Sequence, residues 1–178
     1  LYPRAPATAY VMRAYRIAYC KVHYPLAYYA AYFSIRAAEF DANVIARGKD
    51  YVGQQIKELE AMGKEKKLDA KQNATLIVLQ LAWEMYLRGY SCERVDLYRS
   101  GADRFIIDGN ALLPPIAALA GMGQKAAQGI VEARKEGAFT SIEDLRRRSG
   151  ISKPNIEILR SHGCLDGMSE SDQIALFS

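Results

Sequence analysis

Apolar and aromatic residues recur at helical spacing in two adjoining stretches near the start of the chain. The first, PATAYVMRAYRIAYCKVHY, begins with Pro6, and proline suits the first turn of a helix. Pro25 stops this helix, because proline cannot continue an α-helix from within. The second stretch, LAYYAAYFSIRAAEF, follows directly and is dense in aromatic residues. The pattern therefore predicts two consecutive helices.

Two further helical stretches follow, and each begins with an aspartate that can cap a helix. DANVIARGKDYVGQQIKELEAMG is predicted to be one helix with Asp41 at its N-cap. DAKQNATLIVLQLAWEMYLRG pairs Asp69 with Gln72 at the spacing of a capping box and closes at Gly89, a suitable C-cap. The basic stretch KEKKLDAK between them is predicted to be a solvated loop. We therefore expect helices up to about residue 88.

The pattern changes over residues 90–115, where short β-prone runs are separated by turn residues. VDLYRS, DRFIID and ALLPP are the candidate strands, and DGN between the last two is typical of a hairpin. Helices resume at Ile116 in two short pairs, over 116–135 and 141–165, which look like two unequal copies of one unit. The composition of DGMSESD then indicates a flexible linker.

The predicted fold is therefore mainly α with a small β element. We divide the chain into a helical region over 1–111 with short strands at about 92–113, a paired-helix domain over 112–165, and a flexible C-terminal tail over 166–178. No apolar run approaches the ~20 residues of a membrane span, so no membrane partner is expected. Because the chain starts without Met, we expect it to be a fragment of a longer protein.

Charge and cysteine content narrow the class of function only slightly. The 178 residues carry a net charge of +4, and residues 119–163 hold eight basic and five acidic side chains. A mildly basic body permits a nucleic-acid partner without requiring one. The three cysteines are widely separated and form no CxxC motif. This disfavours a disulfide framework or a zinc site and fits a reducing cytoplasm.

The first motif with a mechanism is a Gly-x-Gly turn in IAALAGMGQKAAQGIVEARKEG. Gly121 and Gly123 flank Met122; we expect a short apolar helix before them, a positive φ at Gly123, and Met122 plugged into the core. The N–H groups that begin the next helix, at Gln124 and Lys125, would point outward and suit a phosphate. A single Gly-x-Gly is more often an ordinary helix end followed by a loop.

A second helix–turn–helix unit, SIEDLRRRSGISKPNIEILRSHGCLDG, strengthens the phosphate-binding hypothesis. Its turn is Gly150, Ile151 and Ser152, followed by Lys153, so a serine replaces the second glycine and departs from the pattern. The tandem resembles paired helix-hairpin-helix motifs, which grip the DNA backbone without reading its sequence. This resemblance implies a monovalent cation on the hairpin carbonyls. The arginines at 146–148 either add backbone contacts or are solvated surface.

No catalytic group accompanies these motifs. Nucleotidyl transfer needs clustered carboxylates that hold two metal ions ~4 Å apart. Asp103 and Asp108 both occur in turn contexts, and Asp before Gly is commonly a turn residue. The sequence contains no catalytic-triad pattern, Walker loop or dinucleotide-binding loop. We therefore assign no catalytic and no metal-binding residue to this chain.

From end to end, the chain resembles the C-terminal part of the PolC-type DNA polymerase III alpha subunit, a replicative polymerase of many Gram-positive bacteria. The resemblance rests on the order and spacing of AYVMRAYRIAYCKVHYPLAYYAAYFSIRAAEFD, VDLYRSGADRFIIDGNALLPPI, GMGQKAAQGIVEARKEGAF, LRSHGCLDG and QIALF. It implies that residues up to about 115 belong to the fingers region and that the hairpins form a duplex-binding domain. Pro6 stands where relatives tend to have His, so any active-site role of that His is not carried over.

The resemblance also implies a function for the parent protein. It would be a DNA-directed DNA polymerase, cytoplasmic and nucleoid-associated, with Mg²⁺ held by ligands outside this chain. Its partners would be primer–template duplex DNA, the sliding clamp and other replisome subunits. Arg4, Arg13 and Arg16 on the basic first helix would face the incoming nucleotide or the template, and a plain surface role fits them equally well. The residues expected to contact DNA are Gly121, Met122, Gly123, Gln124, Lys125, Gly150, Ser152 and Lys153.

The apolar residues near the end of the chain suggest a peptide that binds a partner. Gln173, Ile174, Leu176 and Phe177 match the Gln-x-x-Leu-Phe type of peptide that bacterial polymerases insert into the sliding clamp, with Ile174 where Leu is commoner. Leu176 and Phe177 would fill an apolar pocket of the clamp, which would bury them. In the competing interpretation, Phe177 packs onto the chain's own last helices.

Two other functions fit the sequence. One is a helix-hairpin-helix scaffold of a DNA repair or recombination protein, and the other is a non-catalytic adaptor whose hairpins bind protein. Salt-sensitive, sequence-independent binding to primer–template DNA would separate the adaptor from the DNA-binding alternatives.

Overall fold

The computed structural model describes residues 4–37 and 39–171, and these form eight α-helices, three short strands and two short 3-10 helices. The α-helices are α1 (Arg4–His23), α2 (Pro25–Ile35), α3 (Ala42–Ile45), α4 (Lys49–Glu65), α5 (Ala70–Leu87), α6 (Gln124–Ala133), α7 (Ile142–Ser149) and α8 (Lys153–His162). The strands are β1 (Ser91–Cys92), β2 (Ile106–Asp108) and β3 (Ala111–Leu113), and the 3-10 helices cover Ile116–Ala118 and Arg134–Glu136. The prediction of a mainly α fold with a small β element is confirmed.

The helix ends follow the capping residues in the sequence, with one exception. Pro25 opens α2, and the Asp69–Gln72 capping box forms at the start of α5, with bonds of 2.7 and 3.0 Å. The predicted single helix after Asp41 is wrong, because the chain divides there into α3 and α4. Gly48 lies between them with a φ of 98°, a left-handed conformation that interrupts an α-helix and suits glycine.

The small sheet has the order β1-β3-β2, and the predicted hairpin is confirmed. β2 pairs antiparallel with β3 across the turn at Gly109, whereas β1 pairs parallel with β3. The strand predicted at VDLYRS is wrong. The Asp96 carboxylate there accepts hydrogen bonds from the N–H groups of Tyr98 and Arg99, at 2.8 and 2.7 Å, and this local turn replaces strand pairing.

One continuous apolar core runs from α2 to α8. Tyr29 and Phe33 on α2 are fully buried, and the same cluster continues through Leu112 of β3 to Ile130 of α6 and Leu159 of α8. The paired helices at the end of the chain therefore share packing with the helices at its start. No helix within the described residues is long and apolar enough to cross a membrane.

α1 stands apart from this core, since none of its residues is buried. Large apolar side chains are exposed along the length of the helix; they include Tyr10, Val11, Met12, Tyr15, Ile17, Tyr19 and Val22. Near its C-terminal end, Lys21 forms an ion pair of 2.7 Å with Glu84 of α5. α1 thus leaves the body of the protein as a largely uncovered helix.

Residues 166–171, in the segment predicted to be a flexible linker, form hydrogen bonds to α7 and α8. The N–H groups of Ile142 and Glu143, in the first turn of α7, donate to the carbonyls of Ser169 and Glu170 at 2.9 and 3.1 Å. The Glu170 carboxylate also accepts two hydrogen bonds from Arg160 of α8, at 2.6 and 3.2 Å, and these bonds lower the pKa of Glu170. First-turn N–H groups have no acceptor within their own helix, and the carbonyls of this segment serve as acceptors for two of them.

Candidate nucleic-acid interface

The first Gly-x-Gly turn links the 3-10 helix Ile116–Ala118 to α6. Met122, in its centre, is buried as predicted. The expected positive φ lies at Gly121, with 86°, and not at Gly123, where φ is −71° and ψ is 146°. Gly123 is the N-cap of α6, and its extended backbone is open to any residue.

The two glycines of this turn are needed for different reasons. A Cβ at Gly121 would lie 3.1 Å from Cδ1 of Ile158 on α8, besides the strain of its positive φ. A Cβ at Gly123 would meet no atom within 4 Å. Gly123 therefore leaves open space in front of the N-terminus of α6, where an external group can approach the backbone closely.

Unpaired N–H groups face this open space. The first-turn N–H groups of α6, at Gln124 and Lys125, have no acceptor within the helix, and no acceptor for them is found among the described residues. The Lys125 side chain is exposed beside them. The Gln124 side chain donates a long hydrogen bond of 3.3 Å to Asp103. Donors and a positive charge at a helix N-terminus suit an anion.

The second turn repeats the backbone of the first. Gly150 has a φ of 68°, Ile151 is buried, and Ser152 is the N-cap of α8 with φ −79° and ψ 163°. Because any residue can adopt this last conformation, the replacement of glycine by Ser152 leaves the turn intact. Lys153 is exposed, but Pro154 lacks an N–H, so this turn offers one backbone donor fewer than the first.

The two turns belong to one closely packed unit. On α6, a Cβ at Gly129 would lie only 2.5 Å from the backbone carbonyl oxygen of Ser149 at the end of α7. Glycine here lets the two helices approach more closely than any other residue would. Gly121 of the first turn likewise packs on Ile158 of α8. The spacing between the turns is therefore set by the packing of the helices themselves.

The three consecutive arginines of α7 have different surroundings. Arg148 is 18% exposed, stacks on Phe139 and donates to the carbonyls of Ala133, Gly137 and Ala138. Arg147 is 68% exposed and pairs with Asp144 at 2.6 Å. Arg146 is exposed and forms no ion pair with the described residues. Arg148 is therefore structural, and the other two face solvent.

The three arginines predicted to face a nucleotide or template do not form one cluster. Arg4, Arg13 and Arg16 are all exposed on α1. Arg13 and Arg16 lie one turn apart, whereas Arg4 precedes Arg13 by nine residues and lies on the opposite side of the helix. The helix can therefore present two of these charges to one partner.

Within the described part of the chain, no group of three or more His, Cys, Asp or Glu residues could hold a metal ion. Asp108 forms an ion pair with Arg99, and Asp103 contacts Gln124. Neither carboxylate belongs to a site that could hold two metal ions.

His162, the last residue of α8, has a role that the sequence did not predict. Its Nε2 accepts a hydrogen bond of 3.0 Å from the N–H of Val95, so the proton is on Nδ1, which donates to Oδ1 of Asn43 at 2.7 Å. Burial lowers the pKa of His162, and the nearby Arg94 lowers it further. This neutral histidine joins α8 to α3 and to the segment after β1. Its partners lie far away in sequence, and no local pattern indicates them.

The comparisons with known proteins agree with this geometry. A family model described as a helix-hairpin-helix motif matches residues 89–175. The DNA polymerase III PolC-type of Halalkalibacterium halodurans is 49% identical to this chain over 179 residues, and the Bacillus subtilis protein of that name is 48% identical over 179 residues. The protein of that name from Caldanaerobacter subterraneus is 48% identical over 177 residues. Each alignment covers 99% of this chain.

The chain is homologous to a segment of PolC-type DNA polymerase III. It spans about 12% of the length of these PolC-type relatives. The resemblance drawn from the sequence is therefore confirmed. Both turns lie within the range matched by the helix-hairpin-helix model, whereas the predicted clamp peptide at Gln173, Ile174, Leu176 and Phe177 lies outside the described residues.

Proposed function

We propose that this chain is the part of a replicative DNA-directed DNA polymerase of the PolC type that holds the primer–template duplex by its backbone. The observation that carries this proposal is the pair of turns with similar backbone geometry, held in one packed unit. The homology to PolC-type polymerase favours this function over a repair scaffold or a protein-binding adaptor.

In this proposal, backbone donors contact phosphate oxygens. At the first turn, the N–H groups of Gln124 and Lys125 would donate to a phosphate that enters the open space at Gly123. At the second turn, the N–H groups near Ser152 and Lys153 would do the same, with one donor fewer because of Pro154. Such contacts carry no sequence information and fit a polymerase that must bind every template.

The first turn also offers carbonyl oxygens for the predicted monovalent cation. The carbonyls of Leu119 and Gly123 accept the N–H groups of Met122 and Ala127, at 2.9 and 3.0 Å. Among the described residues, the carbonyls of Gly121 and Met122 have no donor. These two oxygens would hold the cation, which would add positive charge beside a bound phosphate.

Polymerase chemistry would reside elsewhere in the parent protein. We propose that Mg²⁺ is held by carboxylates outside this chain. The exposed apolar surface of α1 would face the remainder of the polymerase, and Arg13 and Arg16 would face the incoming nucleotide or the template, with Arg4 contributing from the opposite side. The parent would act in the cytoplasm at the nucleoid.

We further propose that the last residues dock on the sliding clamp. Gln173, Ile174, Leu176 and Phe177 would form the clamp-binding peptide, and other replisome subunits would join the same assembly. A peptide joined to a DNA-binding unit would meet a clamp on the same DNA at high effective concentration.

Replacement of Gly123 by valine tests backbone contact at the first turn. The 178-residue chain should bind duplex DNA without sequence preference, and its affinity should fall steeply as salt is raised from about 50 to 200 mM. Gly123→Val should weaken this binding by roughly tenfold or more, about 1.4 kcal/mol, because the side chain fills the space that a phosphate needs. Binding would be measured by fluorescence anisotropy on variants of equal helical circular dichroism.

Gly63→Ala on α4 is the matched control, since its added methyl makes only ordinary contact with Leu68 and lies on a helix outside the paired unit. Its DNA affinity should equal that of the unmodified chain. Equal affinity for Gly123→Val and the unmodified chain would exclude this turn as a phosphate contact.

A further inference from the structure

A cleft of about 470 Å³ opens beside the second turn, on the side of α7. Its lining consists of Glu143, Arg146, Arg147, Gly150 and Ile151. The lining holds two guanidinium groups and the Glu143 carboxylate, and the Asp144 carboxylate pairs with Arg147 beside it. The buried Ile151 belongs to the lining next to the turn.

Arg146 and Arg147 keep guanidinium donors that can bind a ligand, in contrast to Arg148. The guanidinium of Arg148 is occupied by three carbonyls and by Asp144. Arg147 donates from one guanidinium nitrogen to Asp144, and Arg146 forms no ion pair with the described residues. The guanidinium donors that remain are set in a planar fork that matches two oxygens of one phosphate group.

The cleft lies beside the second turn, where the backbone offers fewer N–H donors than at the first turn. Pro154 removes one N–H from the start of α8, whereas the first-turn N–H groups of α6 are all present. Conversely, the segment before the first turn, Ile116–Ala120, contains no basic residue, while the segment before the second turn contributes Arg146 and Arg147. The first unit therefore offers more backbone N–H donors, whereas the second unit offers two arginine side chains before its turn.

We propose that Arg146 and Arg147 form a phosphate-binding cleft that takes one phosphodiester group of a nucleic-acid backbone. This proposal rests on the proposed function of the paired turns and extends it. The first unit contacts its phosphate through backbone N–H groups, and the second unit contacts its phosphate mainly through guanidinium groups. Arg146, whose charge no ion pair with the described residues offsets, supplies positive charge for the negative phosphodiester.

Replacement of both arginines by glutamine tests the cleft. The double variant Arg146→Gln, Arg147→Gln should bind duplex DNA roughly tenfold more weakly at low salt, and the slope of log K against log salt should become shallower by about 0.9 for the one lost phosphate contact. Arg146→Lys should recover only part of the affinity, because an ammonium keeps the charge and loses the fork. Binding would be measured on the 178-residue chain by fluorescence anisotropy over a salt series.

Lys57→Gln on α4 is the control for loss of a positive charge away from the paired unit. If the double variant has the same DNA affinity and salt slope as Lys57→Gln, the proposal that this cleft binds phosphate is wrong. If Gly123→Val weakens binding in the same assay, the proposed function stands while the cleft alone fails. If neither Gly123→Val nor the double variant weakens binding, both proposals fail. Thermal unfolding of each variant would identify any change in DNA affinity that comes from lost structure. If the double variant is destabilised, the DNA affinity of Arg146→Gln alone, which breaks no ion pair to the described residues, decides the test.

Discussion

At the scale of single residues, three glycines of the paired unit have distinct physical roles. Gly121 supplies a positive φ, Gly129 permits the approach of two helices, and Gly123 leaves space for an external group. The sequence predicted the turn and the burial of Met122 but placed the positive φ at the wrong glycine. A Gly-x-Gly pattern does not show which glycine turns the chain, and the need for Gly129 depends on a carbonyl twenty residues away.

Replacement of Gly129 by alanine should destabilise the protein. The new Cβ would lie 2.5 Å from the Ser149 carbonyl oxygen, and backbone atoms cannot move aside as a flexible side chain can. We expect a loss of about 1–3 kcal/mol in the free energy of unfolding, the usual cost of overpacking. Urea unfolding followed by circular dichroism measures this. Gly123→Ala is the control, because its φ of −71° and open surroundings accept a methyl group. Equal urea midpoints for the Gly129 and Gly123 variants would show that α6 and α7 do not pack this closely.

At the scale of elements, the sequence predicts structure where the determinants are local and does not where they are distant. The capping box at Asp69 and the hairpin at Gly109 depend on neighbours within a few residues, and both were predicted. The segment around Glu170 was predicted to be a flexible linker, and its polar composition does not reveal its bonds to the N–H groups of α7 and the side chain of Arg160. The division of the chain at residue 112 stays a prediction.

The link from α8 to α3 through His162 should make stability depend on pH. Burial lowers the pKa of His162 in the folded state, so below about pH 6.5, where free histidine becomes protonated, the unfolded chain takes up the proton more readily. The histidine's contribution to stability should thus be complete above this pH and should be lost as the pH falls through the lowered pKa. Arg94 adds to this effect, and Asp41 opposes it.

The measurement is denaturant unfolding of the unmodified chain and of His162→Gln between pH 5 and pH 8. The variant should be less stable at pH 8, and the difference between the two proteins should shrink toward pH 5. His23→Gln, which replaces an exposed histidine on α1, is the matched control for the substitution itself. A constant difference between His162→Gln and the unmodified chain across this pH range would refute the role of His162 protonation.

At the scale of the whole molecule, the body shares one core while α1 remains uncovered. The sequence predicted the helical pattern of α1 but not its exposure, because many large apolar residues on a helix ordinarily indicate burial. In the function proposed above, this uncovered surface would contact the remainder of the polymerase.

The proposed clamp contact predicts a clean separation of functions in the parent protein. Replacement of both Leu176 and Phe177 by alanine should abolish binding to the sliding clamp, because the clamp pocket loses the apolar side chains that fill it. Affinity for duplex DNA and the melting temperature should stay nearly unchanged. Surface plasmon resonance on immobilised clamp measures the first effect, with Ser178→Ala as the control. A double variant that melts well below the unmodified chain and still binds the clamp would show that these residues belong to the core.

The fixed segment at Glu170 limits how far a clamp could stand from the second turn. Leu176 follows Glu170 by six residues, and a fully extended chain of this length spans at most about 22 Å. With a rise of about 3.4 Å per base pair, this distance corresponds to roughly six base pairs of duplex. A sliding clamp bound to the tail would therefore stay within about six base pairs of the Glu170 segment. The polymerase and the clamp would then contact nearly the same stretch of DNA.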